Sequence, residues 1–136
     1  MTLHIDIETF SSVDIKTAGV YKYVEAPDFE VLLISWYVSE HKVLGLPESH
    51  KHVCVIDLAL MAEEGPDAGE IQEVQDFVQM LTDPTIIKKA WNANFERTAL
   101  SKYFGVELPP EQWQCTMIQA ARCSLPLSLD ACSRAL

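Results

Sequence analysis

The chain has 136 residues with ten basic and twenty acidic side chains, a net charge of −10, and a pI near 4.7. At 49% hydrophobic and 22% charged residues it has the apolar content for one modest core, which excludes the disordered and low-complexity classes. The acidic balance argues against a protein that wraps long nucleic acid through its own charge. Contact with a few nucleotides through bound metal ions stays open. No run approaches the roughly 18 consecutive apolar residues of a membrane span, and Met1–Asp6 shows neither a basic region nor an apolar signal segment. The expectation is one soluble, cytoplasmic domain without membrane contact. Cys54, Cys115, Cys123 and Cys132 form no CxxC pair and no zinc spacing, so they read as reduced thiols.

In chain order, Leu3–Ile7 is a short strand with Leu3, Ile5 and Ile7 on one face. Glu30–Val38 (EVLLISWYV) is rich in β-branched and aromatic residues and predicts a buried strand. Ser39-Glu40-His41-Lys42 is polar and predicts a hairpin into Val43–Leu46. Val53–Asp57 is a further candidate strand, and acidic Met61–Gly69, with its Gly65-Pro66-Asp67, reads as a loop. Ile71, Val74, Phe77, Val78 and Leu81 recur at helical spacing, which predicts a helix over Gly69–Leu81, stopped by Asp83-Pro84. Thr85–Trp91 follows as a strand, with Lys88 and Lys89 arguing that it is less than fully buried. Asn94–Phe104 is a second helix with Gly105 in the stop position. Pro109-Pro110 breaks the chain, Trp113–Met117 is short and mixed, Thr116–Cys123 is weakly helical, and Ser128 caps a last helix.

Strands first, then strand and helix in alternation, predict an α/β fold. Its sheet is mixed and five-stranded, with Leu3–Ile7 and Thr85–Trp91 parallel at the centre and the two longer helices packed on it. The last helix reaches Leu136 about two turns after Ser128, with no stop signal. The expectation is therefore that 1–136 is one domain that is C-terminally incomplete.

Two clusters carry the chemistry. Residues two apart on a strand share a side, so Asp6 and Glu8 of Asp6-Ile7-Glu8 project together, and adjacent carboxylates suit a hard cation such as Mg²⁺ or Mn²⁺. An ordinary solvated strand end is the commoner origin of such a triplet taken alone. In Trp91-Asn92-Ala93-Asn94-Phe95-Glu96, Glu96 falls in the first turn of a predicted helix, where a carboxylate also serves the helix dipole. Asn92 and Asn94 have an alternative role there as caps.

Together, DIETFSSVDIKTAGVYKY and NANFERTALSKYFG resemble the first and second motifs of the DEDD family of 3′–5′ exonucleases, which have the ribonuclease H-like fold. The resemblance is closest to the proofreading exonuclease domain of phage and bacterial family A DNA polymerases (the DNA polymerase I type). There a D-x-E-T motif opens the chain, and a stretch like WQCTMIQAARCSLPLSLDACSRAL follows the second motif. The resemblance implies a two-metal site of Mg²⁺ or Mn²⁺. Asp6 would bridge the ions, Glu8 would hold the one that activates water, and Glu96, where the family usually has Asp, would support the second through water. Two ions about 3.5–4 Å apart stabilise both the attacking and the leaving oxygen of an in-line displacement. Thr9, Phe10 and Asn92 would contact the terminal nucleotide, with sequence-tolerant stacking on Phe10.

The implied partners are a single-stranded DNA 3′ end and a polymerase domain C-terminal in the parent chain, in the cytoplasm of a bacterial cell or a phage-infected host. Two departures stand against this pattern. Glu96 is one methylene longer than Asp. The family's third motif, Tyr or His, then three residues, then Asp, does not occur after Met117. The expectation is that this chain binds metal weakly and cleaves poorly while the full-length parent is active. Two further functions remain: a catalytically incomplete module of the same fold that binds nucleic acid or a partner protein, and a stand-alone exonuclease acting on RNA.

Other candidates weigh less. His50, His52 and Cys54 alternate and would share a strand face, but without an evident fourth ligand a surface strand edge is favoured over a metal site. Nothing in the sequence brings Cys115 and His4 together as a nucleophile pair. Trp36, Trp91 and Trp113 are expected in the core or at its rim. Lys88, Lys89, Arg97 and Lys102 are the main basic concentration and the best candidate for phosphate contacts, although solvated surface is the commoner role. Asp14, Asp57 and Asp130 read as surface or capping residues.

Overall fold

The computed structural model describes residues 1–39 and 53–136. β1 (Thr2–Phe10) is followed by α1 (Ile15–Val24), β2 (Glu30–Ser39), β3 (Cys54–Asp57), α2 (Leu58–Glu64) and α3 (Ala68–Thr82). Then come β4 (Ile87–Ala90), α4 (Ala93–Phe104), a 3₁₀ turn over Pro110–Gln112, β5 (Trp113–Cys115), α5 (Thr116–Arg122) and α6 (Leu129–Ala135). Among the described residues the sheet has five strands in the order β3-β2-β1-β4-β5. β1–β2 and β2–β3 are antiparallel, whereas β1–β4 and β4–β5 are parallel. This is the mixed five-stranded α/β arrangement expected from the sequence, and it is consistent with a ribonuclease H-like fold. The expected hairpin strand over Val43–Leu46 and the residues His50 and His52 lie outside the described residues.

One face of the sheet carries the core. Leu3, Ile5 and Ile7 of β1 sit beside Val38, Trp36 and Ile34 of β2 in register, and Ile56 of β3 continues the layer. Strict alternation would turn Val31 outward. The register instead skips Leu32, with Glu8 opposite Leu33 and Thr9 opposite Val31. This extra residue returns Val31 to the core, where it is 2% exposed, at the price of a local break in the ladder. Phe77 and Leu81 of α3 and Ala99 and Leu100 of α4 close over this layer, all fully buried.

The helix ends follow their capping chemistry. Asp67 accepts from the Glu70 amide at 2.8 Å while the Glu70 carboxylate accepts from the Asp67 amide at 2.9 Å, a reciprocal capping box. Asp14 and Asp57 cap α1 and α2 by accepting from Lys16 N and Leu60 N, and Ser128 caps α6. Asp130 is a surface residue paired with Arg134.

Four features differ from the sequence reading. Part of Met61–Gly69 is not loop, because α2 runs to Glu64 before Gly65-Pro66-Asp67 turns the chain. The Asp57 cap and helix-favouring Leu, Ala, Met and Glu outweigh its acidity. α1 carries no sequence stripe that announces it, since Gly19 (φ 81°, ψ 166°) interrupts it, yet Asp14 starts it and Tyr23 and Val24 anchor it. Ile71, counted in the α3 stripe, stays 44% exposed in the first turn.

Most plainly, Lys88 is fully buried. The parallel register sets it beside Leu3 on the core face, and its ammonium donates to the Asp83 carbonyl and to Gln112 Oε1. A long side chain fills the gap under β4, and the two acceptors offset part of its desolvation. Burial pushes its pKa down, and Asp83 pulls it back up.

Gly105 ends α4 with φ 64° and ψ 33°, and no atom lies within 4 Å of an added Cβ. The strain on a substituent there is therefore conformational alone. Gly105→Ala should destabilise the fold by about 1 kcal/mol in chemical denaturation, and Gly105→Asn, which tolerates the left-handed region, by less.

Candidate active site

β1 is the middle strand of the sheet, so both of its faces are defined by neighbours. With Leu3, Ile5 and Ile7 turned into the core, His4, Asp6 and Glu8 project from the opposite face, and the two carboxylates are exposed. The sheet thus places Asp6 and Glu8 together, as the D-x-E spacing requires. Asp6 shares a cavity of about 260 Å³ with His4, Tyr37, Lys89 and Trp91.

Glu96 arrives from the other side of the β1–β4 pair. β4 ends at Ala90, Trp91 and Asn92 turn the chain, and α4 begins at Ala93. Ala93, Glu96, Ala99 and Leu100 are the buried positions of α4. Their spacing is that of a core-facing stripe, with a carboxylate where an apolar residue would ordinarily stand. Glu96 is only 5% exposed, and its Oε2 is buried without a hydrogen-bond partner. Its pKa is pushed up to about 7, first by burial and further by the Asp6 charge, against the opposing effect of a backbone hydrogen bond. Glu96 and Asp6 are therefore electrostatically coupled, although they come from elements far apart in sequence.

The three carboxylates do not close into a cage. Asp6 and Glu8 extend into solvent while Glu96 is buried. Among the described residues no three His, Cys, Asp or Glu side chains form a group that could hold an ion. The Glu96 oxygen is buried without a partner and feels the Asp6 charge, and carboxylate oxygens are the donor type that a hard cation takes.

The remaining candidates fall around this centre. Thr9 is half-buried, with Oγ1 3.0 Å from the Tyr23 hydroxyl, and Phe10 ends β1 at 51% exposure. Asn92 is exposed and occupies the N-cap position without making a side-chain cap bond, so its amide is not spent on capping. Asn94 accepts from Arg97 Nη2 at 3.2 Å.

The basic concentration does not act as a unit. Lys88 faces the core, and Arg97 Nη1 donates to the Leu108 carbonyl at 3.2 Å, which ties α4 to the following segment. Lys89 stands level with His4 on the Asp6 face, and Lys102 lies exposed in the last turn of α4. Trp36 and Trp113 pack against the core, and Trp91 lies at the rim. Cys115 donates to the Trp91 carbonyl from β5, and β4 separates it from His4.

Two neighbours of the site were not among the residues expected to form it. His4 stacks on Tyr37 with centroids 4.3 Å apart and bonds Ser39 Oγ at 2.8 Å. Burial, then the Lys89 charge, hold its pKa below the ordinary value. Tyr23 is the other; it closes the DIETFSSVDIKTAGVYKY stretch, where nothing local marks its contact with Thr9.

The domain thus carries two carboxylates on its middle strand β1 and a third in the first turn of α4, the helix after β4. No family model matches the chain. It is 44% identical over 135 residues to the DNA polymerase of Bacillus phage SP02, a match that spans 99% of this chain and 18% of that protein. The chain is thus related to one segment of a phage DNA polymerase. Among the described residues no helix is long and apolar enough to cross a membrane.

The raised pKa of Glu96 has a consequence for stability. Below about pH 4.5 the carboxyl is protonated in both folded and unfolded chains. Between there and about 7 the unfolded chain ionises first, so stability falls as pH rises through this window. Glu96→Gln should therefore stabilise the metal-free protein at pH 8 by on the order of 3 kcal/mol. Denaturant titrations should show this gain shrinking toward zero near pH 4.5, whereas a gain independent of pH would mean that Glu96 does not titrate from a buried site.

Proposed function

We propose that this chain is the 3′–5′ proofreading exonuclease domain of a phage-type family A DNA polymerase, which excises nucleotides from single-stranded 3′ ends as nucleoside 5′-monophosphates. The observation that carries this reading is the buried, partnerless Glu96 carboxyl coupled to Asp6. It stands in a chain 44% identical to a segment of a phage DNA polymerase. Leaving such a group in a core is costly for folding, and a cation between it and Asp6 would remove that cost.

In this reading Asp6, Glu8 and Glu96 would hold Mg²⁺ or Mn²⁺, which when bound would supply the positive charge that an acidic site needs to accept a phosphodiester and to stabilise the attacking and leaving oxygens. A water oxygen bonds to phosphorus while the bond to the 3′-oxygen of the preceding nucleotide breaks, and that oxygen takes up a proton. Thr9 and Asn92 orient the terminal nucleotide, and the exposed Phe10 ring offers its base a stacking surface. A polymerase domain would lie C-terminal in the parent chain.

A second reading has its own support. Among the described residues the acidic side chains do not close around an ion. On this reading the chain is a module that binds nucleic acid or a protein without cutting. Binding of a 3′-ended oligonucleotide that a chelator abolishes would favour the enzyme.

A 5′-labelled single-stranded DNA oligomer with Mn²⁺ separates the two. A C-terminally extended form should shorten the 3′ end, and Asp6→Ala in that form should slow it on the order of a hundredfold or more. This chain alone should cut weakly. Cleavage by no form would leave the binding module, and equal cleavage by the short and extended forms would refute the incomplete-site account.

A further inference from the structure

Tyr23 lies in the last turn of α1, 9% exposed and outside the carboxylate set. Its hydroxyl is 3.0 Å from Thr9 Oγ1. Its ring meets Phe29 edge-on at 5.9 Å and Phe95 at a tilt, 6.0 Å between centroids. Thr9 directly follows Glu8 in β1, and Phe95 directly precedes Glu96 in α4. One side chain therefore touches the covalent neighbours of two carboxylates carried by separate elements.

The place of contact is where β1 most needs support. The extra residue Leu32 interrupts the β1–β2 ladder between the Glu8 and Thr9 pairs, and the β1–β4 pairing extends only from Thr2 to His4. Strand pairing thus holds the Glu8 end of β1 on its β2 side alone, with a bulge in that ladder. α1 can supply the tie because Gly19 breaks it (φ 81°), so its last turn takes a direction separate from the first. For packing alone, a phenylalanine at 23 and a valine at 9 would fill the same space. The paired hydroxyls add direction, since a hydrogen bond fixes an angle that apolar contact does not.

We propose that Tyr23 is a positioning residue: through its hydroxyl on Thr9 and its ring on Phe95 it sets the separation between the β1 carboxylates and Glu96, and so the capacity of the site for divalent metal. This inference rests on the metal-dependent exonuclease reading and deepens it.

The test uses Mn²⁺ affinity, measured by electron paramagnetic resonance on the whole chain below its melting transition. Tyr23→Phe and Thr9→Val are compared singly and together, with Asp6→Ala and Thr9→Ser as references. Each single variant should weaken Mn²⁺ binding roughly threefold to tenfold, the worth of one hydrogen bond. The double variant should bind no more weakly than the worse single, because both remove the same contact. Thr9→Ser, which keeps the hydroxyl, should bind like the parent.

Unchanged affinity in both single variants, or losses that multiply in the double, would overturn the proposal. The same holds if affinity falls only in proportion to melting temperature. If Asp6→Ala binds Mn²⁺ as the parent does, the metal reading itself fails and the positioning role falls with it. If Asp6→Ala abolishes binding while Tyr23→Phe changes nothing, only the positioning role is lost.

Discussion

A carboxyl buried at the start of α4 beside a second carboxylate is the constraint around which the site is organised. Most of the core satisfies itself: apolar side chains close on apolar side chains, and even Lys88 finds two acceptors, while the Trp36 and Trp113 indole N–H groups are buried without a partner. Glu96 is not satisfied either, since one oxygen has no partner and its neighbour Asp6 repels its charged form. Natural folds tolerate such conflicts chiefly where function requires them. The sheet brings Asp6 to this point because β1 is central, and α4 brings Glu96 because its first turn begins directly after β4.

The two halves of the sheet divide the work. The antiparallel half, β1 to β3, supplies a broad apolar layer and orients β1 so that its acidic side faces outward. The parallel half requires helices between strands, and α4, the helix between β4 and β5, carries the third carboxylate. The chain's likeness to a phage DNA polymerase spans 18% of that protein.

Much of this was legible in the residues. Asp6 and Glu8 share a side because strand periodicity is two, and Leu3, Ile5 and Ile7 fix which side. The α3 helix was marked by its stripe and by Asp83-Pro84, and α4 by Gly105. What was not legible was environment. Lys88 reads as a solvent-facing residue from its charge, yet the parallel register with Leu3 buries it, which also removes it from any phosphate contact. Arg97 is likewise committed to the Leu108 carbonyl. α1 escaped notice because Gly19 interrupts its periodicity.

Local pattern in the residues carried the β1, β2 and β4 strands and the α3 and α4 helices, the pairing of Asp6 with Glu8, and the place of Glu96 in a helical first turn, because these depend on geometry over a few residues. Only the tertiary structure decided that Glu96 is buried and coupled to Asp6, that Lys88 belongs to the core, and that Tyr23 joins Thr9 to Phe95. Burial, pKa and long-range contact depend on which segments are brought together through strand pairing across the sheet, and no local pattern carries that information.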